Sequence, residues 1–316
     1  MKSRSFHAVG SLGQEILLVL VILALFAFVG WVNPRFVSEN NLTSIFVGNA
    51  YIAVAAIGMS LVIISGNIDV SIGALIGVLA VISGLLVTNG YPVWFAWLAP
   101  LIIGAAINTL LGCLIAYARV PSIIATLAML SILSGGLITF TGGQWISGLP
   151  SAYQLAQFRL FNIPSPVWFM VGMTIVAALL MRYTAFGRSV YAVGSNPEAA
   201  RASGISHAST VVKVFAIHGA IAGVAAVLFA TQLQVIQSTT PVGLELVIIT
   251  ASVVGGVSIL GGVGTVVGST LAAILFAAIG SSLIFLNVSA YWLKAVQGVL
   301  ILATVLADMA RRRRTG

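Results

Sequence analysis

The sequence is poor in charge, cysteine and histidine. Of its 316 residues only 14 are Lys or Arg and 6 are Asp or Glu, whereas an ordinary soluble domain has about a quarter charged residues. So few charges cannot cover a water-soluble surface on a chain that is 60% hydrophobic, and most of its solvent must be bilayer. The single cysteine, Cys113, excludes an intrachain disulfide and a cysteine metal cluster; within an apolar run it reads as a small packing residue. The sequence has no HExxH pattern, Asp pair or Ser–His arrangement for intramembrane proteolysis, so an enzyme is not expected. His7 falls in the N-terminal tail and His207 in a loop, while His218, alone on a helix, reads as a hydrogen-bonded core residue rather than a base or ligand; no metal site is expected. The formal charge of +8 does not point to nucleic acid, because the basic residues lie at the ends of apolar segments. The one basic block, Arg311 to Arg314, follows an apolar stretch, as a cytoplasmic anchor would.

What is present is a series of apolar runs. A spanning helix needs about 20 largely apolar residues, and segmentation at polar clusters gives ten candidates at 15–32, 45–65, 72–88, 93–117, 122–141, 167–183, 211–233, 244–260, 266–286 and 291–309. An all-α membrane protein of about ten transmembrane helices is expected, with both termini cytoplasmic, a tail over 1–14, one membrane domain over 15–309 and a basic tail over 310–316. The first run is read as a retained helix rather than a signal peptide, since it lacks a small-x-small cleavage site and further spans follow. Glycines in the third, eighth and ninth segments predict broken or tilted helices. With the N-terminus inside, only Arg35 and Arg159 fall in outer loops, Lys294 lies near an outer end, and every other Lys and Arg is inside. The six tryptophans, Trp31, Trp94, Trp97, Trp145, Trp168 and Trp292, then all fall near the outer boundary, the interfacial position their amphipathic rings prefer.

Two connections exceed simple turns: an outer one from Gly142 to Pro166, and an inner one over about 184–210. The inner loop contains its own helix punctuation. Asn196 suits the N-cap and Pro197 the first helical position, Glu198 complements the positive helix end, and Gly204 can take the left-handed C-terminal conformation. A capped helix of this kind can be a rigid lever between two spans or an amphipathic helix resting on the membrane surface.

The inner run GRSVYAVGSNPEAARASGI, residues 187–205, resembles the cytoplasmic coupling segment of the permease subunits of bacterial ABC importers for ribose, xylose, arabinose, rhamnose and related small molecules. Two further stretches are similar to the same family: IGMSLVIISGNIDVSIGALIG at 57–77, and the glycine-rich region from Ile249 to Gly268. The match covers about 40–309, with Asn67 in place of a common glycine and Ile259-Leu260 in place of smaller residues. The resemblance implies a type II-like permease of the inner membrane, with some broken helices, working with a second identical or homologous permease, two ATPase subunits and a periplasmic sugar-binding protein. ATP and Mg would sit on the ATPase, and this chain would bind no cofactor. In the family the coupling segment docks on the ATPase, which here implies Gly187, Arg188, Tyr191, Gly194, Asn196, Pro197, Glu198, Ala199, Ala200, Arg201 and Gly204; Glu198 and Arg201 would be polar anchors, and Ala199, Ala200 and Ala202 the close-packed face.

Asp69 is an acid within or at the edge of the hydrocarbon, which makes it a functional candidate. Its neighbours favour a structural role: Gly66, Asn67, Asp69 and Ser71, with Gly73 beyond, can form a turn that caps the helix starting near Ile72 and shapes a helix join. The glycines of 255–268 suit close helix approach, and no Walker lysine follows them, so ATP must be hydrolysed elsewhere. Neutral polar residues within spans, Asn49, Ser60, Asn108, Gln232, Gln234 and Gln237, are candidates for a solute pathway or for helix–helix hydrogen bonds. Together they favour a neutral polar solute over an ion. The competing class, a secondary transporter driven by an ion gradient, ordinarily places several ionisable groups near the midplane, and here only Asp69 and Glu245 are candidates.

Overall fold

The structure is a computed structural model that describes residues 3–155, 158–232, 234–239, 241–289 and 291–315. Its helices are α1 (Ser3–Val32), α2 (Glu39–Ile64), α3 (Ile72–Thr88), α4 (Val93–Ala116), α5 (Ser122–Thr141), α6 (Ser165–Tyr183), α7 (Ala185–Ser195), α8 (Pro197–Ala202), α9 (His207–Ala230), α10 (Leu244–Val254), α11 (Val266–Phe285) and α12 (Trp292–Thr315). A helix is what these sequences require. Inside hydrocarbon every backbone N–H and C=O must be paired within its own segment, and the uninterrupted Leu, Ile, Val and Ala runs offer no other partner.

Each of the ten apolar segments is helical. Seven helices, α1 from Gly13, α2, α4, α5, α6, α9 and α11, are long and apolar enough to cross a membrane, while α3, α10 and the Trp292–Leu306 part of α12 are shorter apolar helices. Residues 3–14 and 310–315, expected as tails, are helical and continuous with α1 and α12. Of the three segments expected as broken or tilted, the third and ninth, α3 and α11, run unbroken. The eighth is broken as expected: it stops at Val254, and Gly255 to Gly264 leave the helix, with Gly256 at φ +100° and Gly261 at φ +81°, values that glycine adopts readily.

Helix α2 forms the centre and is mostly buried, whereas α1, α5 and α6 are mostly exposed. The closest pair is α4 and α9. Their backbones nearly touch: a Cβ placed on Gly219 would lie 2.1 Å from the Gly104 carbonyl oxygen, and one on Gly104 would lie 2.3 Å from that of Gly219. Without a hydrophobic driving force between helices in lipid, such small-residue contacts supply the packing.

The long connection after α5 is packed rather than loose. It contains a short antiparallel pair, Arg159–Leu160 with Ile163–Pro164, and a bridge in which Ile146 and Ile236 exchange backbone hydrogen bonds of 2.9 Å. Tyr153 is fully buried beneath it and donates its hydroxyl to Ser83 Oγ at 2.7 Å; burial pushes that phenol up to about 12. Arg159 also reaches Glu39, at the start of α2, at 3.4 Å.

Candidate functional site

The inner connection folds as two short helices at a bend. Thr184 Oγ1 accepts from Gly187 N at 3.1 Å and starts α7 immediately after α6. Only glycine fits at 187, where a Cβ would stand 2.1 Å from the Met181 carbonyl oxygen. Val190 and Val193 face the interior, while Arg188 is exposed. At the end of α7, Asn196 Oδ1 accepts from the backbone N–H groups of both Glu198 and Ala199 at 3.0 Å, and Pro197 opens α8. Gly204 follows at φ +79°, where Ile205 N donates to Ala200 O at 3.0 Å and closes the helix end. Glu198, Ala199, Arg201 and Ala202 are exposed on this two-turn helix. Ala200 is buried against its own chain, with 4% of its surface accessible, whereas Ala199 and Ala202, the other alanines of the expected close-packed face, are exposed.

Beneath α7 the three sequence motifs meet at a junction made largely of backbone. A Cβ on Gly194 would lie 1.8 Å from the Ile64 carbonyl oxygen and 2.7 Å from Gly262 N, and one on Gly261 would lie 2.9 Å from Gly194 O and 3.0 Å from the Gly66 Cα. Gly262 N donates to Ile64 O at 2.9 Å, joining the glycine-rich loop to the last turn of α2. Tyr191 donates its hydroxyl to Gly264 O at 2.8 Å. Burial, assisted by the Glu15 carboxylate, raises the Tyr191 phenol above its ordinary range and preserves that donor. Ser195, exposed, reaches Gly262 O at 3.4 Å. Of the residues expected in the coupling segment, Gly187, Tyr191 and Gly194 pack α7 against the rest of the protein, while Glu198, Ala199 and Arg201 are exposed on α8.

The α1 helix reaches the same junction, a contact the sequence reading missed. Glu15 Oε1 accepts from Thr265 Oγ1 at 2.6 Å, and Gln14 Nε2 donates to Val254 O at 3.3 Å. The available signal was the pair of polar residues at the start of the first apolar run.

The 65–71 turn carries a buried polar cluster. Asp69 Oδ1 accepts from Ser71 N at 2.8 Å and Ser71 Oγ at 2.5 Å; Oδ2 accepts from Asn108 Nδ2 at 3.3 Å and faces His218 Nε2 at 3.3 Å. Asp69, Ser71, Asn108 and His218 are all fully buried. His218 is thus not alone: it ties α9, and Asn108 ties α4, to the turn that opens α3. Asn67 bonds locally, to Ser65 O at 3.4 Å and Ser65 Oγ at 3.2 Å. Gly73 admits Glu245 of α10, whose Oε2 would lie 2.7 Å from a Cβ there.

The solute-pathway candidates separate. Asn108 belongs to the Asp69 cluster and Ser60, fully buried, hydrogen-bonds Ser269 Oγ at 2.6 Å, so both make helix–helix contacts. Gln232 donates to Val47 O at 2.6 Å and ties the end of α9 to α2. Gln234 and Gln237 are exposed in the segment after α9. Asn49 is half-buried and lines a cavity of about 300 Å³ between α2, α11 and α12. Among the described residues no group of three or more His, Cys, Asp or Glu side chains could hold a metal ion.

The structure is a polytopic helical domain with an exposed capped helix seated on a glycine junction, and comparison with known proteins assigns its class. Residues 41–305 match the family described as "Branched-chain amino acid transport system / permease component", and the chain belongs to this family of ABC-type permeases of the inner membrane. It is similar to the autoinducer 2 import system permease protein LsrC of Salmonella typhi, with 36% identity over 296 residues that cover 93% of this chain and 85% of the relative. The corresponding permease protein of Escherichia coli O157:H7 is 35% identical over 296 residues, covering 93% of this chain and 86% of that protein. No solved structure matches.

Proposed function

We propose that this chain forms half of the transmembrane conduit of an ATP-driven importer for a small, neutral, sugar-like solute, autoinducer 2 being the first candidate. Its similarity over 93% of its length to permeases of autoinducer 2 import systems carries this reading. Two observations support it. The exposed face of α8, with Glu198 and Arg201 held in place by the Asn196 cap, suits docking on a separate ATPase subunit. The buried acid Asp69 has its carboxylate occupied by Ser71, Asn108 and His218, which leaves it poorly placed to bind a coupling ion. A second copy or a homologous permease would complete the conduit, a periplasmic binding protein would deliver the solute, and ATP and Mg would be held by the ATPase.

The reading is tested by uptake of autoinducer 2 and D-ribose into cells expressing the complete system. Uptake should survive collapse of the ion gradients and stop when ATP is depleted. The reverse pattern would establish a secondary transporter instead.

A further inference from the structure

We infer that the cavity between α2, α11 and α12 is the entry subsite of this importer, a shallow site that receives a neutral polyhydroxy solute before it crosses. The inference rests on the importer reading and adds the place where the solute is first held. The cavity, about 300 Å³, is lined by the first turns of α2, the last turns of α11 and the first turn of α12. The motif junction lies at the other ends of α2 and α11, at Ile64 and Thr265. The cavity residues of α2, Asn41 to Asn49, lie 15 to 23 residues before Ile64, or about 23–35 Å along the helix, so the two features are separated by roughly the thickness of the hydrocarbon. If α8 meets the ATPase on the inner side, the cavity opens where solute is delivered.

Within a largely apolar lining, four neutral side chains offer hydrogen-bonding groups that a carbohydrate can use and a lipid chain cannot. They are Asn41, Ser44 and Asn49 of α2 and Ser281 of α11, all neutral and all partly accessible. Their positions are fixed by bonds within the protein: Asn41 Nδ2 donates to Phe36 O at 2.6 Å, Ser281 Oγ to Asn41 Oδ1 at 2.8 Å, Ser44 Oγ to Asn40 O at 2.9 Å and Asn49 Nδ2 to Ile45 O at 3.1 Å. Each keeps spare capacity: an amide has two donors and two acceptor lone pairs, and a hydroxyl one donor and two lone pairs. The lining also includes the exposed Ile284 and the half-buried Leu293, against which the C–H face of a sugar ring can lie. No charged side chain lines the cavity, which disfavours an ion. A surface meant only for acyl chains gains nothing from these polar groups, since hydrocarbon offers them no partner.

The single native cysteine makes a direct test practical. In a Cys113→Ser parent, Ser44→Cys, Asn49→Cys and Ser281→Cys are introduced one at a time, and the assembled complex in membranes is treated from the binding-protein side with a cationic, membrane-impermeant methanethiosulfonate. Leu302→Cys on α12, 61% exposed and outside the cavity lining, is the control. The three cavity cysteines should react at least tenfold faster than the control, and autoinducer 2 or D-ribose with the binding protein should slow that reaction at least threefold. Cavity cysteines no more reactive than the control would mean that lipid covers the groove, and the inference would fail. Reaction that neither solute slows would overturn it equally. ATP-dependent uptake by wild type and parent is measured in the same vesicles. Its absence in wild type defeats the importer reading and the subsite together, whereas normal uptake with an unreactive cavity defeats the subsite alone.

Discussion

Gly194 is where one methyl group has the largest expected effect. A Cβ there would overlap the Ile64 carbonyl oxygen, at 1.8 Å, and both neighbours are backbone that cannot swing aside. Gly194→Ala should destabilise the protein by about 1–3 kcal/mol and lower ATP-driven uptake at least tenfold. Gly135→Ala in α5, where no atom lies within 4 Å of the added carbon, should change neither; melting of the solubilised protein and vesicle uptake measure both. Asp69 allows a second residue-scale prediction. Asp69→Leu strips Ser71, Asn108 and His218 of a shared buried partner and should cost about 3–5 kcal/mol, seen as a lower melting temperature and poor yield, while Asp69→Asn should lose less. The turn at 65–71 was legible in the sequence because capping is local, decided by residues two or three positions apart. The partners of Asp69 were not legible: Asn108 and His218 come from helices 39 and 149 residues further along the chain, and periodicity carries no information about which helices adjoin.

At the scale of the element, α8 is the best-determined piece. The order Asn196, Pro197, Glu198 and Gly204 specifies its start and finish, and the structure has those ends. The alanines were less legible. A two-turn helix buries one side, and the sequence of α8 alone could not tell that Ala200 points inward while Ala199 and Ala202 point out. Replacing Asn196 with Ala removes an acceptor for two backbone N–H groups and should cost α8 about 1 kcal/mol. The expected result is normal membrane insertion with at least a fivefold loss of solute-stimulated ATPase activity in reconstituted complexes. Arg201→Glu, which leaves the cap intact and reverses an exposed charge, should show the same loss through weaker ATPase binding, measured by co-purification. Equal recovery of ATPase with both variants would count against α8 as the docking element. The end of α10 was legible in part: glycines in the eighth segment predicted a broken or tilted helix, and the helix stops at Val254, where Gly255, Gly256, Gly261 and Gly262 pack closely against neighbouring segments.

For the whole molecule, the predicted stoichiometry is two permeases and two ATPase subunits. Light scattering of the purified complex should give the mass of that assembly, and the permease expressed alone should show no ATP hydrolysis. Composition made the membrane class legible from the outset, since 20 charged side chains among 316 residues exclude a soluble surface. The number of crossings was less legible: a hydrophobic stretch states what it can span, while its helical length depends on contacts such as those that stop α10 at Val254.

The junction beneath α7 is built from main-chain atoms of Ile64, Gly66, Gly194, Gly261 and Gly262, with Tyr191 adding a bond to another main-chain oxygen. If α7 and α8 take up the work of the ATPase as proposed, side chains that meet the solute can change with little effect on the part that receives it. Drive and selectivity are separable in such a protein: mutation can explore new cargo at the entry while the engine mount stays the same, and chimaeras that exchange the first turns of α2 and the last turns of α11 between relatives should inherit the donor's cargo and keep the host's motor.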